Sequence, residues 1–460
     1  MPKKPKEYDV VVVGAGTAGS ACALFMAQSG YRVALIEKRP LTQAGAHWIN
    51  GVPSWMFLQA GLTIPEPPED HGTARTFVLT GKNEKDRLVI SPSPIMSVNV
   101  ELLVARLHKL ARRAGVELFD RVFIKDLRLN SGRPVSLTTE RRLKQGRPSQ
   151  LTFKARLFVD ASGLAGALRK LVPPLSRHCP AVGSQHLCSA AQEICAVKDR
   201  AGAAAFLEKH DLGPADNYSR IGVDGGFSTL TIMLGANLET VDLLTGGIAD
   251  GNHLSGPELM QQLKEAQPWI GQRIFGGAGL VPLRRAYDRL VAPGLALVGD
   301  CACQVFSAHG SGTGAGLLAA RALTEAVAGH DDPGHELSLL TYQANYQREF
   351  GAVCAACDVF RRYAQSLSCT DIESLLSSGI MSADIYRAGL DQAIPLPKMT
   401  DILIALRGIA RVPRLAELVP LFARMSAIFA LYRRFPRLKQ PAQSYTRVLQ
   451  QLAGKPAESE

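Results

Sequence analysis

The chain has 460 residues, 46% of them hydrophobic and 20% charged, which allows two or three domains with a substantial core and excludes a disordered polypeptide. Its formal charge of +11 gathers in the arginine-rich stretch from Arg407 to Lys439, and with no nucleic-acid motif beside it that charge does not call for nucleic acid. Nine cysteines in no regular frame suit free thiols in a reducing compartment, and no apolar run of about twenty residues argues for a spanning helix.

Residues 8–13 (YDVVVV) are a β-branched apolar run that reads as a buried parallel strand. A glycine turn over 14–19, a helix over 20–29 ending at Gly30 and a strand over 32–37 complete a βαβ unit. The run behind the basic start is therefore a strand and not a signal peptide, so a cytoplasmic protein is expected. Residues 38–62 read as loop and short helix. Strand, turn and strand follow over 76–90, then a helix over 99–115 carried by Leu102, Leu103, Leu107 and Leu110. A meander is expected over 116–138 and 151–159, broken by the polar turn 140–149. Strands at 182–194 and 226–234, with helices at 202–210 and 256–265, belong to a second sheet. A short apolar strand at 295–298 meets a second glycine-rich turn and a helix over 314–328. From Leu337 onward the pattern is helical, punctuated by Pro395, Pro397, Pro413 and Pro420.

The spacing Gly14-x-Gly16-x-x-Gly19 follows a strand, opens a helix and precedes an acidic residue, Glu37, at the end of the next strand. Gly14 permits the tight turn, Gly16 admits a pyrophosphate to the backbone of Ala15 and its neighbours, and Gly19, next to Ala18, lets helix and strand pack closely. The helix N-terminus offers free N–H groups to phosphates. Glu37 would accept the adenosine ribose hydroxyls, with Lys38 and Arg39 following it, Arg39 towards the phosphate side. The motif alone does not separate FAD from NAD.

Residues 295–316 (LALVGDCACQVFSAHGSGTGAG) and 158–169 (FVDASGLAGALR), taken with the N-terminal unit, resemble the FAD-dependent family of geranylgeranyl reductases, aromatic-ring hydroxylases and flavin halogenases, and are closest to geranylgeranyl reductase-like proteins. The resemblance implies an α/β fold: a discontinuous Rossmann-type FAD-binding domain (1–75, 95–180 and 275–330), an inserted mixed-sheet substrate domain (76–94 and 181–274) and a helical C-terminal region (331–460). It implies FAD as cofactor. Gly299 and Asp300 match the pair that holds the ribityl chain; Gly310, Gly312 and Thr313 match the turn and helix start at the pyrimidine edge of the flavin. Asp160 and Gly163 match the turn that leaves the FAD domain.

The chain departs from that pattern in several places. Ser307 stands for the usual proline before the last glycine turn, Val100 for an arginine, and Gly225-Gly226-Phe227-Ser228-Thr229 is what remains of the reductases' aromatic strand. No second nucleotide-binding unit is evident, so NAD(P)H would bind transiently or a separate reductase would deliver electrons. His309, inside the flavin-facing turn, could protonate a substrate carbon or hold a flavin carbonyl; His47, beside Trp48 in the loop after Glu37, is a second catalytic candidate. Cys354-Ala-Ala-Cys357 lacks partners for a metal site, and no metal is expected. The basic segment 402–438 could lie on an anionic membrane surface or simply pack on the body of the protein. The expected activity is redox chemistry on a bulky, largely apolar small molecule, prenyl-like or polyketide-like, with hydride transfer through flavin N5 that reduces a double bond or forms one. The alternatives are a monooxygenase using a C4a-hydroperoxide and a non-enzymatic flavoprotein electron carrier.

Overall fold

The structure is a computed structural model that describes residues 4–72, 74–142, 148–394, 403, 414–438 and 443–453. Its centre is a six-stranded sheet in the order β18-β19-β12-β2-β3-β8. Strands β2 (Val10–Val13), β3 (Val33–Ile36), β8 (Glu117–Phe119), β12 (Leu157–Asp160) and β19 (Leu295–Leu297) run parallel, and β18 (Val291–Ala292) closes the edge antiparallel. All four valines of β2 are buried, as a strand covered on both faces requires. Segments nearly 300 residues apart in sequence thus share one sheet. Residues 157–160, expected at the end of the meander, instead lie between β2 and β19. The meander proper is a four-stranded sheet of β1 (Lys6–Glu7), β11 (Ser149–Lys154), β10 (Arg133–Arg141) and β9 (Val122–Asn130).

The second large sheet has seven strands in the order β17-β13-β16-β15-β14-β5-β6. They are β17 (Ile270–Pro282), β13 (Leu187–Val197), β16 (Thr240–Ile248), β15 (Thr229–Leu234), β14 (Asn217–Ile221), β5 (Phe77–Thr80) and β6 (Arg87–Ile90). A two-stranded ribbon, β4 (Ile49–Pro53) with β7 (Ile95–Asn99), links the sheets. β13 begins at Leu187, later than the expected start at 182, because Ser184–His186 form a 3-10 turn.

Helix α1 (Thr17–Gln28) packs on the six-stranded sheet, and α3 (Val100–Arg113) and α7 (Thr313–Val327) pack against α1 in the same core. α1 begins at Thr17, not at residue 20, so Gly19 already lies in its first turn. α3 is amphipathic, and its N-cap Asn99 accepts from the Leu102 N–H. α2 (Ser54–Gln59) and α4 (Pro173–His178) are short, while α5 (Arg200–Lys209) and α6 (Gly256–Ala266) accompany the seven-stranded sheet. The C-terminal region holds α8 (Glu336–Tyr346), α9 (Ala352–Gln365), α10 (Cys369–Ser377), α11 (Ala383–Leu390), α12 (Leu415–Tyr432) and α13 (Gln443–Ala453), with a π-turn over Gln347–Gly351 between α8 and α9.

α12 corrects one expectation. Pro420 lies inside it and does not end it; near the helix start the missing N–H costs one backbone bond, which packing of Leu418, Leu421 and Met425 against a core outweighs. Its 18 residues, of mean hydropathy 1.5, are also long and apolar enough to cross a membrane by length and composition, with 33% of them buried. Arg407 and Arg411 lie outside the described residues. Of the other arginines in segment 402–438, Arg414 pairs with Asp371 and Glu417, Arg424 donates to the Leu452 carbonyl, Arg433 to the Arg348 carbonyl and Arg437 to Asn345. These four cations are engaged by the body of the protein.

A buried ionic knot fastens the C-terminal helices to the seven-stranded sheet. Asp358 and Arg361, both on α9 and almost inaccessible, meet at 2.5 Å, and Arg361 also reaches His186 Nδ1 at 3.2 Å. Arg362 approaches Asp358 at 3.4 Å, and these guanidinium groups hold its carboxyl far below the usual range against the opposing effect of burial. Asp358→Leu should cost about 3–5 kcal/mol, since it leaves buried arginines unpaired, seen as a lowered denaturation midpoint. The double replacement Asp358→Leu with Arg361→Met should recover much of that loss. Equal destabilisation of both variants would show that the knot is not one coupled unit.

Candidate active site

The two glycine turns meet. A Cβ added at Gly316 would lie 2.9 Å from the Ala18 Cβ, and one at Gly299 would lie 3.0 Å from it. α1 and α7 therefore start side by side above the carboxyl ends of the parallel strands, where open α/β sheets bind their ligands. Neither helix start carries a side-chain cap, which leaves first-turn N–H groups free for anionic groups.

The glycines of the first turn differ in what requires them. Gly14 sits at φ +103° with the Ala161 carbonyl oxygen 2.3 Å from its absent Cβ, and at Gly19 that atom would fall 1.9 Å from the Gly14 carbonyl oxygen. Both are demanded by the protein's own packing. Around Gly16 the nearest atom is the Gly45 Cα at 3.7 Å, so the chain leaves room there. That room is what a pyrophosphate approaching the backbone needs.

Glu37, buried at the end of β3, accepts from the N–H groups of Ala15 at 2.9 Å and Arg39 at 3.0 Å. Two bonds leave lone pairs on its carboxylate for the two hydroxyls of a ribose. The Arg39 guanidinium lies 3.6 Å from the same carboxylate and donates to the Gly45 carbonyl at 3.4 Å, while Lys38 is exposed to solvent. His108, a residue that sequence spacing did not single out, supports the turn from below: its Nε2 is 3.0 Å from the Ala15 carbonyl oxygen. Its place on the buried face of α3, one turn beyond Val104, was the available signal.

In the second turn, Asp300 is half-buried and its carboxylate has no hydrogen-bond partner among the described residues. Burial pushes its pKa up to about 6. Gly312 is required here, because a Cβ would lie 2.9 Å from Asp300 Oδ1. An orphaned carboxylate beneath an uncapped helix start fits the hydroxyls of a ribityl chain. Gly310 adopts φ +77° and packs towards Leu283 and Val281, and Thr313 opens α7. FAD therefore fits the residues present: Gly16 and the start of α1 at the pyrophosphate, Glu37 at the ribose, Asp300 at the ribityl chain and the start of α7 at the flavin.

Three expected site residues need correction. Asp160 does not face this groove; it is fully buried and accepts from Ser162, Leu168 N–H and Arg169 N–H, organising its own loop. His47 is tied to Glu101 on α3 at 3.0 Å and is not among the residues lining the cavity below, whereas its neighbour Trp48 is. His309 does line that cavity, beside the Phe306 ring at 4.7 Å between centroids. Desolvation there pushes its pKa down to about 4, so the imidazole is neutral near pH 7 and is not the acid its unperturbed value suggested. Its side chain is exposed to the cavity space. A neutral imidazole there can orient a substrate or a flavin carbonyl through a hydrogen bond.

The cavity holds about 450 Å³. One wall is the seven-stranded sheet, through Ala190, Gln192, Ser219 and Thr231; the other is built from α9, α10, α11 and α12, through Phe360, Ala364, Leu375, Ile385 and Phe422. One end opens on His309, Gly310 and Ser311, and Ser311 is held by Asn50 at 2.8 Å. Gly226 and Phe227, the remnant of the aromatic strand, line it as well. A larger cavity of about 840 Å³ lies beyond Phe422, between α2, α7 and α12, and reaches neither glycine turn. All nine cysteines are free, and no cluster of metal-ligating side chains occurs among the described residues.

Residues 9–170 match the family described as FAD dependent oxidoreductase. Over 96% of its length the chain is 24% identical to the digeranylgeranylglycerophospholipid reductase of Sulfolobus acidocaldarius, covering 97% of that protein. It is 26% identical to digeranylgeranylglycerophospholipid reductase 1 of Methanopyrus kandleri over 75% of the chain and 87% of the relative. Among solved structures, a geranylgeranyl bacteriochlorophyll reductase-like protein of Thermoplasma acidophilum superposes with a TM-score of 0.70 at 17% identity, over 91% of this chain and all of that one. The myxobacterial chondrochloren halogenase, an FAD-dependent halogenase, does so at 0.57 and 18% identity, over 96% of this chain and 99% of its own. These structural likenesses establish the shared fold. The family match over residues 9–170 and the likeness to the digeranylgeranylglycerophospholipid reductases along nearly the whole chain, with two glycine turns closing on one groove, mark this chain as an FAD-dependent oxidoreductase related to the geranylgeranyl reductases.

Proposed function

We propose that the enzyme reduces a carbon–carbon double bond, or forms one in the reverse direction, in a bulky and largely apolar small molecule with a prenyl-like or polyketide-like chain. The observation that carries this reading is the apolar cavity that ends on the His309–Gly310–Ser311 turn, where the flavin ring would lie. Its volume suits a small-molecule site, and its walls are aliphatic and aromatic along most of its length. The names of the relatives, reductases of a digeranylgeranyl lipid, support a long prenyl chain as the occupant.

When bound, FAD supplies the hydride at N5, replenished from transiently bound NAD(P)H or from a separate reductase. The chain's own task is to position and to exclude water. Residues of α9–α12 roof the sheet and keep the reacting carbon dry. Ser311, fixed by Asn50, and the neutral His309 set the register of the substrate over the turn.

The test is to reduce the FAD-loaded enzyme under argon and add geranylgeraniol. Flavin reoxidation with a product two mass units heavier supports the reading. Reoxidation only in air, with a product sixteen units heavier, would replace it by oxygen insertion. Ala364→Trp fills the roof of the cavity and is expected to lower kcat/KM for the C20 substrate at least tenfold with the flavin spectrum intact. An unchanged kcat/KM would put the substrate elsewhere.

A further inference from the structure

The cavity is apolar along its length but not at its far end. Strand register sets the pattern there. On antiparallel β14, β15 and β16, Asn217 faces Met233 and Met233 faces Asp242; one row closer to the glycine turn, Ser219 faces Thr231 and Thr231 faces Leu244. Residues two apart on a strand share a face, so Asn217, Ser219, Thr231 and Asp242 all present side chains to the same cavity. Four polar groups on one patch of an otherwise hydrophobic wall are not needed to close a core, since alternation would put apolar side chains there.

The bonds within the patch define what it can still do. Ser219 donates to Asn217 Oδ1 at 3.0 Å and shares a bond with Thr231 at 2.7 Å. The Asn217 amide N–H₂, lone pairs on Thr231 Oγ1 and outer lone pairs on the Asp242 carboxylate remain. His71 Nε2 straddles the Asp242 carboxylate, 3.1 Å from Oδ2 and 3.4 Å from Oδ1, so only outer lone pairs remain on it; His71 is exposed at the surface, which marks this end of the cavity as its polar mouth. The hydrogen bond to Asp242 keeps the His71 pKa above its ordinary value. What is left is one donor group and two acceptors, one of them an anion. A phosphate or diphosphate has only acceptors to offer and would meet the Asp242 charge at contact distance.

We infer that this patch recognises the head of the substrate, and that the head is an uncharged hydroxyl-bearing group and not a phosphate ester. A hydroxyl donates to Asp242 or Thr231 and accepts from Asn217, which satisfies both sides of the contact. The apolar chain then runs over Leu244, Ala190 and Phe227 towards the His309 turn. This assignment rests on the function proposed above, and it makes Asp242 a specificity residue remote from the reacting carbon.

The test compares two probes with one chain, farnesol and farnesyl diphosphate, binding to the FAD-loaded enzyme by calorimetry without turnover. Farnesol is expected to bind at least tenfold more tightly. Asp242→Asn should narrow that gap at least fivefold, chiefly by admitting the diphosphate, and Thr231→Val should weaken farnesol with little effect on the diphosphate. Tighter binding of the diphosphate by the unaltered enzyme, a preference indifferent to both replacements, or no binding of either probe would overturn the assignment. Farnesol bound in this way but never reduced would count against the proposed reaction alone. Alkene reduction with a diphosphate preference would count against the head-group assignment alone.

Discussion

Gly16→Ala is expected to yield a folded protein that is purified nearly colourless. A Cβ at this position meets nothing closer than 3.7 Å, and the residue's φ of −73° is open to alanine. The flavin-free variant should therefore melt within a degree or two of the flavin-free parent. The same Cβ occupies the space through which a pyrophosphate reaches the backbone N–H groups. Loss of one charge-assisted hydrogen bond is worth about 1.5–3 kcal/mol, which is roughly a 10- to 150-fold loss in FAD affinity. Gly19→Ala should behave in the opposite way: its Cβ would fall 1.9 Å from the Gly14 carbonyl oxygen, a collision with backbone that costs more than about 4 kcal/mol and removes the folded protein altogether. Flavin titration and calorimetric melting of the two variants separate the effects. A Gly16→Ala protein that retains stoichiometric FAD would show that the first turn does not hold the pyrophosphate.

Asp300 predicts a pH dependence of opposite sign to that of an ordinary salt-bridged carboxylate. In the flavin-free protein burial lifts its pKa from 3.8 to about 6, so between those values the folded state binds a proton that the unfolded chain does not. Stability from this group is gained as pH falls from 6 towards 4, and its penalty is fully present above 6. Asp300→Asn removes the penalty. The flavin-free variant should be more stable than the parent at pH 7.5 by on the order of 2 kcal/mol, and the advantage should vanish near pH 4. FAD retention should fall in the same variant, because an amide is a weaker acceptor for the ribityl hydroxyls. Urea midpoints at the two pH values decide the matter. Parallel curves for parent and variant would mean that Asp300 is not the isolated carboxylate described above.

Much of the candidate cofactor site was legible in local sequence because the residues that form it are close together in the chain. Gly14, Gly16, Gly19 and Glu37 lie within one βαβ unit, where chain connectivity alone brings them together, and Gly299, Asp300, Gly310 and Gly312 lie within one strand–turn–helix. Asp160 misled because its motif position is shared by residues that touch a ligand and by residues that organise a loop. Here the N–H groups of Leu168 and Arg169 claim its carboxylate. His309 lies in the second turn, but its protonation depends on desolvation by the residues around the cavity, which no local window contains. His47 is hydrogen-bonded to Glu101, 54 positions away, a contact that no local window contains.

The chain's linear order therefore determined that two glycine turns exist, that each opens a helix after a buried strand, and that the C-terminal third is helical; these follow from periodicity and from backbone conformations that only glycine adopts easily. Tertiary structure alone decided that β12 lies between β2 and β19, that Ala18, Gly299 and Gly316 bring the two turns into contact, and that four polar side chains on neighbouring strands share one end of an apolar cavity. Those outcomes depend on strand order and register. They are settled by how well distant surfaces bury one another, a quantity that short-range sequence patterns do not carry.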